Sequence, residues 1–312
     1  MNNYNGSSSS NFGSFWNDSN SEGLRMILDF VRDITGEMKK NEEKEKEAEK
    51  EKEKKKPQSG SGSFDVVEAL GLNPKDYDYK DANESGVIEW ITNRNEALIV
   101  TRLAYDKNNR MPELIYRQGE AYANFKGTCG LCSTANAARI LRQGSPTEAD
   151  AIDFASENGC CEAEENDDPS QPYYNGGTTA DDRIKVAEHF GLYAEASDEF
   201  NLDTWFAILI SGGAITFTVF ADYLSKDVPA KMGRKVTSNH CITLIGLRAS
   251  TDNEYEEPVV KEVIFLDTGG WTNNKYGVGA IPIEKFERML KVTQYCSYNI
   301  NFPENLIDEL MK

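Results

Sequence analysis

Ser238-Asn239-His240-Cys241-Ile242-Thr243-Leu244-Ile245-Gly246 contains one of only two histidines in a chain of 312 residues. The run that follows His240 is apolar and rich in β-branched side chains, which predicts a buried strand with the imidazole at its start. Upstream, Gly127-Thr128-Cys129-Gly130-Leu131-Cys132 opens a stretch of small residues; downstream, a second apolar run ends in Leu266-Asp267-Thr268-Gly269-Gly270. A thiol at a helix start, an imidazole at a strand start and a carboxylate at a strand end supply a nucleophile, its base and the group that orients the base. The other histidine, His189, stands in a helical pattern before Phe190-Gly191 with no acid or thiol beside it, and reads as a structural or surface residue. Asp267 gains its catalytic reading by following His240 one hairpin later; alone, Asp-Thr-Gly-Gly is an ordinary strand-to-turn signal.

A cysteine attacks as thiolate, so its pKa of about 8.5 must fall for useful reactivity at neutral pH. The positive end of a helix and a nearby imidazole both lower it. Two registers compete for the nucleophile. The papain pattern C-G-[SA]-C-[WY] selects the second cysteine, Cys132, but Ser133 stands where that pattern has an aromatic. Helical spacing puts Leu131, Ala135, Ala138 and Leu141 on one apolar face and Cys132 with Asn136, Arg139 and Gln143 on another, inside the helix. Cys129 fits the helix end, behind one glycine and before another, and is the expected nucleophile.

The formal net charge of −18 argues against a nucleic-acid binder and against anchoring on anionic lipid. Six cysteines, at 129, 132, 160, 161, 241 and 296, are too clustered for a disulfide scaffold. Cys129-x-x-Cys132 with the adjacent Cys160-Cys161 lacks zinc-site spacing, and no thioredoxin-like unit precedes it, so neither a metal nor an organic cofactor is expected. Cys160 and Cys161 read as partly buried packing thiols. The sequence has no secretory signal pattern and no apolar run long enough to span a bilayer. The expected location is the cytoplasm, or outside the cell by a route without a cleaved signal peptide.

Along the chain, residues 1–23 are too polar to fold alone. Leu24, Ile27, Leu28, Val31, Ile34 and Met38 then form one helical face, which runs into Lys39–Lys56. Nine Lys against seven Glu leave that run at +2 and the remainder of the chain at −20, and it reads as a solvated helical spacer. Residues 57–63 form a Ser/Gly linker. A small helical region is predicted over 64–117, from patterns at Val66–Leu70, Val87–Ile91 and Glu96–Ala104. The domain over 118–312 is predicted to hold helices at about 130–142, 147–158, 179–190, 201–211 and 283–291, with Thr179 and Asp182 forming a capping box. Strands are predicted at 214–220, 241–248, 259–266, 276–281 and 295–301. Helices before strands make this an α+β arrangement. Gly176-Gly177-Thr178-Thr179 reads as a turn and cap, and its acidic lead-in, Glu162–Tyr174, is a minor candidate for lining the cleft.

The runs GTCGLCSTANAARILRQGSPTEADAIDFASENG (127–159), GGTTADDRIKVAEHFG (176–191), NHCITLIG (239–246) and LDTGG (266–270) together resemble bacterial papain-fold peptidases of the bacteriocin-processing type, family C39, and C39-like domains attached to toxins and exported effectors. The resemblance covers about 118–295. It implies a papain-like fold, with the nucleophile on a central helix against an antiparallel sheet. It also implies a thiol peptidase acting on a peptide or protein through Cys129, His240 and Asp267. The family places a glutamine six residues before the nucleophile to serve the oxyanion; here that position is Ala123, which leaves Asn124 and Gln118 as the amide candidates. Glutamine deamidation or transamidation by the same machinery, and a non-catalytic interaction module, are the alternative functions. In a toxin-like effector, the N-terminal helix would meet a secretion or immunity partner.

Overall fold

Strands stand on both sides of the helices in this chain. The computed structural model describes residues 66–80, 88–93, 96–101, 117–141, 144–163, 175–210, 212–224, 235–250, 259–270 and 277–303. The readings of residues 1–63, and most of the Glu162–Tyr174 lead-in, lie outside those residues. In chain order come α1 (Val66–Ala69), β1 (Asp78–Lys80), β2 (Ile88–Thr92), β3 (Glu96–Thr101), α2 (Cys129–Ile140), α3 (Glu148–Glu157), α4 (Ala180–His189), β4 (Leu192–Ser197) and α5 (Leu202–Ile210). There follow β5 (Ala214–Val219), β6 (Val236–Thr237), β7 (His240–Ser250), β8 (Val259–Asp267), β9 (Val278–Pro282), α6 (Ile283–Val292), β10 (Thr293–Gln294) and β11 (Tyr298–Pro303).

β7 organises the sheet. Its eleven residues are long enough to pair with two strands in succession: β5 beside His240–Leu244 and β3 beside Gly246–Ser250. β8 also pairs with β7, and β9 with β8. Beyond β5 come β11 and β4, and beyond β3 come β2 and β1, with every pairing in this sheet antiparallel. Gly246 sits where β3 arrives. A Cβ there would lie 2.3 Å from the Ile99 carbonyl oxygen, so the junction demands glycine. β6 and β10 form a separate two-stranded parallel ladder.

α2 is the central helix, touching β7 and β5 of the sheet and also α3 and α4. One apolar cluster joins its Ala137, Ala138, Ile140 and Leu141 to Leu98, Val100, Ile245, Ile264 and Leu266 of the sheet. A second joins Leu131 and Ala135 to Ala151, Ile152 and Ala155 of α3 and Val186 of α4. Small residues at these positions let the helix approach both layers, and burying its apolar surface at about 25 cal/mol per Å² holds the layers together. α3 and α4 begin with full capping boxes, Thr147 with Asp150 and Thr179 with Asp182, the latter as expected from sequence.

The helical reading of 64–117 is corrected in two of its three parts. Val66–Ala69 is helical, but Val87–Ile91 and Glu96–Ala104 coincide with β2 and β3. β3 is buried along five consecutive residues, Ala97–Thr101. A strand covered on both faces loses its alternation, so a short apolar run there imitates a buried helix turn. The boundary drawn at 117 also falls, because β3 pairs with β7 in one continuous sheet. The described residues of Ser59–Phe200 and Ile208–Lys312 belong to one compact unit. Among the described residues, no helix is long and apolar enough to cross a membrane.

Candidate active site

Each element delivers its residue where the sequence placed it. Cys129 is the first residue of α2, His240 the first of β7 and Asp267 the last of β8. The register pairs Ile242 with Asp267, so the carboxylate arrives diagonally beside the imidazole. His240 Nε2 lies 2.8 Å from Asp267 Oδ1, and both side chains are buried. The same oxygen accepts the Gly269 N–H at 2.8 Å, which fixes the carboxylate from the far side. With Nε2 engaged by Asp267, Nδ1 is the ring nitrogen left to interact with the Cys129 thiol, whose Sγ also lies 3.9 Å from the Gly127 carbonyl oxygen. The ring is thus turned opposite to the serine-protease template, in which Nε2 faces the nucleophile.

Electrostatics separates the two competing thiols. Burial alone would push the Cys129 thiol up. The hydrogen bond and charge of His240, with the Cys241 backbone N–H and the Arg183 charge, outweigh burial and hold it below its ordinary value. Cys132 is fully buried and pushed well above its ordinary value, by burial first and the Glu148 charge second, so it remains a thiol at neutral pH. Burial likewise works to lower the His240 imidazole. Hydrogen bonds to Asp267 and Cys129, and their charges, win and hold it at about 9. Both shifts favour a thiolate at Cys129 and an imidazolium at His240.

Cys132 is the fourth residue of α2, inside the helix rather than at its start, as expected. Cys132, Asn136 and Arg139 are all buried, because α2 is enclosed by sheet and helices together; Gln143 lies outside the described residues. The choice of Cys129 therefore rests on helix position and on its neighbours.

Of the two amide candidates, Gln118 is tied to the site and Asn124 is exposed. Gln118 pairs its N–H with the Thr268 carbonyl at 3.1 Å and accepts the Thr268 hydroxyl at 3.2 Å on Oε1. Its Nε2 donates to the Lys126 carbonyl at 3.2 Å. This bridges the residue after Asp267 and the loop leading to Cys129. His189 is exposed and stacks on Phe154 at 3.9 Å between ring centroids, as a surface residue would. Cys160 is buried and Cys161 half-buried, both as free thiols.

Two residues of the site escaped the sequence reading. Glu148, in the first turn of α3, is buried and accepts from the N–H groups of Gly119 (2.5 Å), Glu120 (3.0 Å) and Ala121 (2.8 Å) and from the Thr128 hydroxyl. It clamps the segment after Gln118 to the residue before Cys129. Arg183, in α4, is 1% exposed; its Nε donates to Asn299 Oδ1 at 2.7 Å. Gly130, next to Cys129, has no room for a side chain: a Cβ there would meet Thr178 Oγ1 at 2.0 Å and Arg183 Cδ at 3.3 Å. The Gly176–Gly177 turn closes on the same corner, with the Gly127 N–H donating to the Asn175 carbonyl at 2.9 Å. Comparison of the chain with protein-family models, curated proteins and solved structures finds no match.

Proposed function

We propose that this protein is a cysteine-dependent hydrolase of peptide or amide bonds, papain-like in fold and akin to the C39-like peptidases its motifs resemble. One observation carries the reading: a buried imidazole bonded through Nε2 to Asp267 at 2.8 Å faces a cysteine at the start of a buried helix. The Cys129 thiolate attacks the substrate carbonyl, forming a C–S bond and an oxyanion. The imidazolium of His240 gives its proton to the leaving amine as the C–N bond breaks, and a thioester remains. Water then attacks the thioester, loses a proton to the imidazole and expels the thiolate. Asp267 holds the ring and balances its charge, and Gln118 and Asn124 are the amide candidates for the oxyanion. The chemistry requires no cofactor, and the substrate class is a peptide or protein.

Iodoacetamide labelling at neutral pH, followed by intact mass and peptide mapping, tests the assignment. Cys129 should react much faster than the other five cysteines. Cys129→Ala should abolish both fast labelling and hydrolysis of a fluorogenic peptide library, while Cys132→Ala should leave most of each. Fast labelling at Cys132 with activity surviving in Cys129→Ala would restore the papain register. A protein with no fast thiol is a binding module, and the proposal fails.

A further inference from the structure

The reactive state of the triad is not neutral. A Cys129 thiolate and an Asp267 carboxylate flank one His240 imidazolium, leaving one negative charge in excess inside the protein. Burying an unbalanced charge is costly, and a structure that tolerates it holds a counter-charge nearby. Arg183 supplies the converse case. Its guanidinium is buried, and among the described residues its acceptors are all neutral: Asn299 Oδ1 at 2.7 Å, the Thr178 carbonyl at 3.4 Å and Ser297 Oγ at 3.4 Å. Its side chain runs against Gly130, the residue after the nucleophile. Its charge acts on Cys129 and on Cys241 and Cys296 behind it.

We propose that Arg183 is the electrostatic positioning residue of this site: a buried cation, deprived of any carboxylate partner, whose counter-ion is the Cys129 thiolate. The inference rests on the proposed cysteine chemistry and adds a second, histidine-independent source of thiolate stabilisation. Three features of the fold serve it. Asn299 accepts from Arg183 and donates its own amide to the Ala180 carbonyl at 3.0 Å, so it holds the guanidinium without neutralising it. Gly130 and the Thr178 loop bring α4 close to the first turn of α2. Burial removes water that would screen the charge. The groups facing Cys129 are His240 and Cys241 from β7, Arg183 from α4 and Cys132 from α2. Asp267 stands behind His240, Glu148 against Cys132 and Cys296 beside Cys241.

The test is the pH dependence of Cys129 alkylation by iodoacetamide in the full chain, for wild type and the variants Arg183→Gln, Arg183→Lys and Asn299→Asp, each also made with His240→Ala. Arg183→Gln removes the charge, and the alkylation midpoint should rise by about one pH unit, a tenfold loss of thiolate at neutral pH. Arg183→Lys keeps the charge and should stay close to wild type. Asn299→Asp keeps an acceptor for Arg183 but gives it a carboxylate partner, and should raise the midpoint although the arginine is intact. The Asn299→Asp result stands even where Arg183→Gln does not fold. The same upward shifts should persist in the His240→Ala background. A midpoint unchanged in folded Arg183→Gln or in Asn299→Asp overturns the role of Arg183 and leaves the proposed function standing. A wild-type midpoint equal to that of an ordinary cysteine overturns both.

Discussion

Replacing Glu148 with Gln probes the clamp behind the nucleophile, and its cost follows from counting donors. Oε1 accepts from the Gly119 N–H and the Thr128 hydroxyl, and Oε2 accepts from the N–H groups of Glu120 and Ala121. Glutamine offers one oxygen where four donors converge. Its best orientation keeps that oxygen on Glu120 and Ala121 and turns the amide toward Thr128. The Gly119 N–H can keep its 3.0 Å bond to Thr128 Oγ1, but that oxygen then accepts twice and the hydroxyl proton has no acceptor. Thr128 is fully buried, so water does not compensate. One buried donor without a partner costs about 1–3 kcal/mol, and loss of charge assistance on the remaining bonds adds to it. Glu148→Gln should therefore lower unfolding stability by about 2–3 kcal/mol. Glu148→Ala, which abandons all four donors, should cost about 3–5 kcal/mol. Urea unfolding followed by tryptophan fluorescence measures both, with an unchanged m-value as the control. A Glu148→Gln protein within about 0.5 kcal/mol of wild type would mean that the convergence of donors on this carboxylate has been misjudged.

Other outcomes follow from the same geometry. Asp267→Asn should fold and retain part of the activity, while Asp267→Ala should fall about tenfold or more below it, because an amide can still orient the ring; equal turnover in wild type and Asp267→Ala removes Asp267 from the site. Gly130→Ala gains helix propensity but drives a methyl group to 2.0 Å from Thr178 Oγ1, and should destabilise by about 1–3 kcal/mol, with Thr178→Ala recovering most of the loss in a double-mutant cycle. The His240 imidazole sits at about 9 in the fold against 6.5 when unfolded, so its contribution to stability is full below about 6.5 and disappears as pH rises through 9. The stability margin of wild type over His240→Gln should accordingly shrink between pH 6 and pH 10, and a margin that widens would reverse the sign of the argument.

Much of this arrangement was legible in the sequence where local signals and tertiary demands agree. α2, α3, α4 and α6 lie within about two residues of their expected bounds because their apolar period is clear, and capping boxes mark the starts of α3 and α4. β5, β7, β8 and β9 announce themselves as apolar runs between turn residues. β4 was missed although Leu192 and Ala194 alternate inward after Gly191, whose φ of 75° ends α4. β3 was misread because burial along Ala97–Thr101 erased its alternation. Glu148 and Arg183 were invisible for another reason. An acid in a first turn and an arginine after two aspartates both read as ordinary helix surface. The donors on Glu148 come from residues 20 to 29 positions away, and two acceptors of Arg183, Ser297 just before β11 and Asn299 within it, from 114 and 116 positions away. Spacing along a helix carries no information at that range.

Three helices of this domain begin at a threonine, and the differences between them bear on what α2 is for. Thr147 and Thr179 adopt extended backbone, accept the N–H of the third helical residue and receive its carboxylate in return. Those helix ends are closed. Thr128 has the same side chain but makes no cap, and its φ and ψ of −82° and 19° turn it out of the capping conformation. Its hydroxyl is committed to Glu148 and to the Gly119 N–H instead. The positive end of α2 is thus denied the partner its own N-cap could supply, at a stability cost of about 1 kcal/mol by the usual worth of a cap. Cys129 is the first residue at that end, and His240 and Arg183 contribute charge of the same sign to it. An open helix end, the His240 charge and an arginine with no carboxylate partner among the described residues all favour one species, an anion at Cys129. A fold that needed only stability would have closed all three helices alike. The selective opening of this one is what the proposed thiolate nucleophile would require.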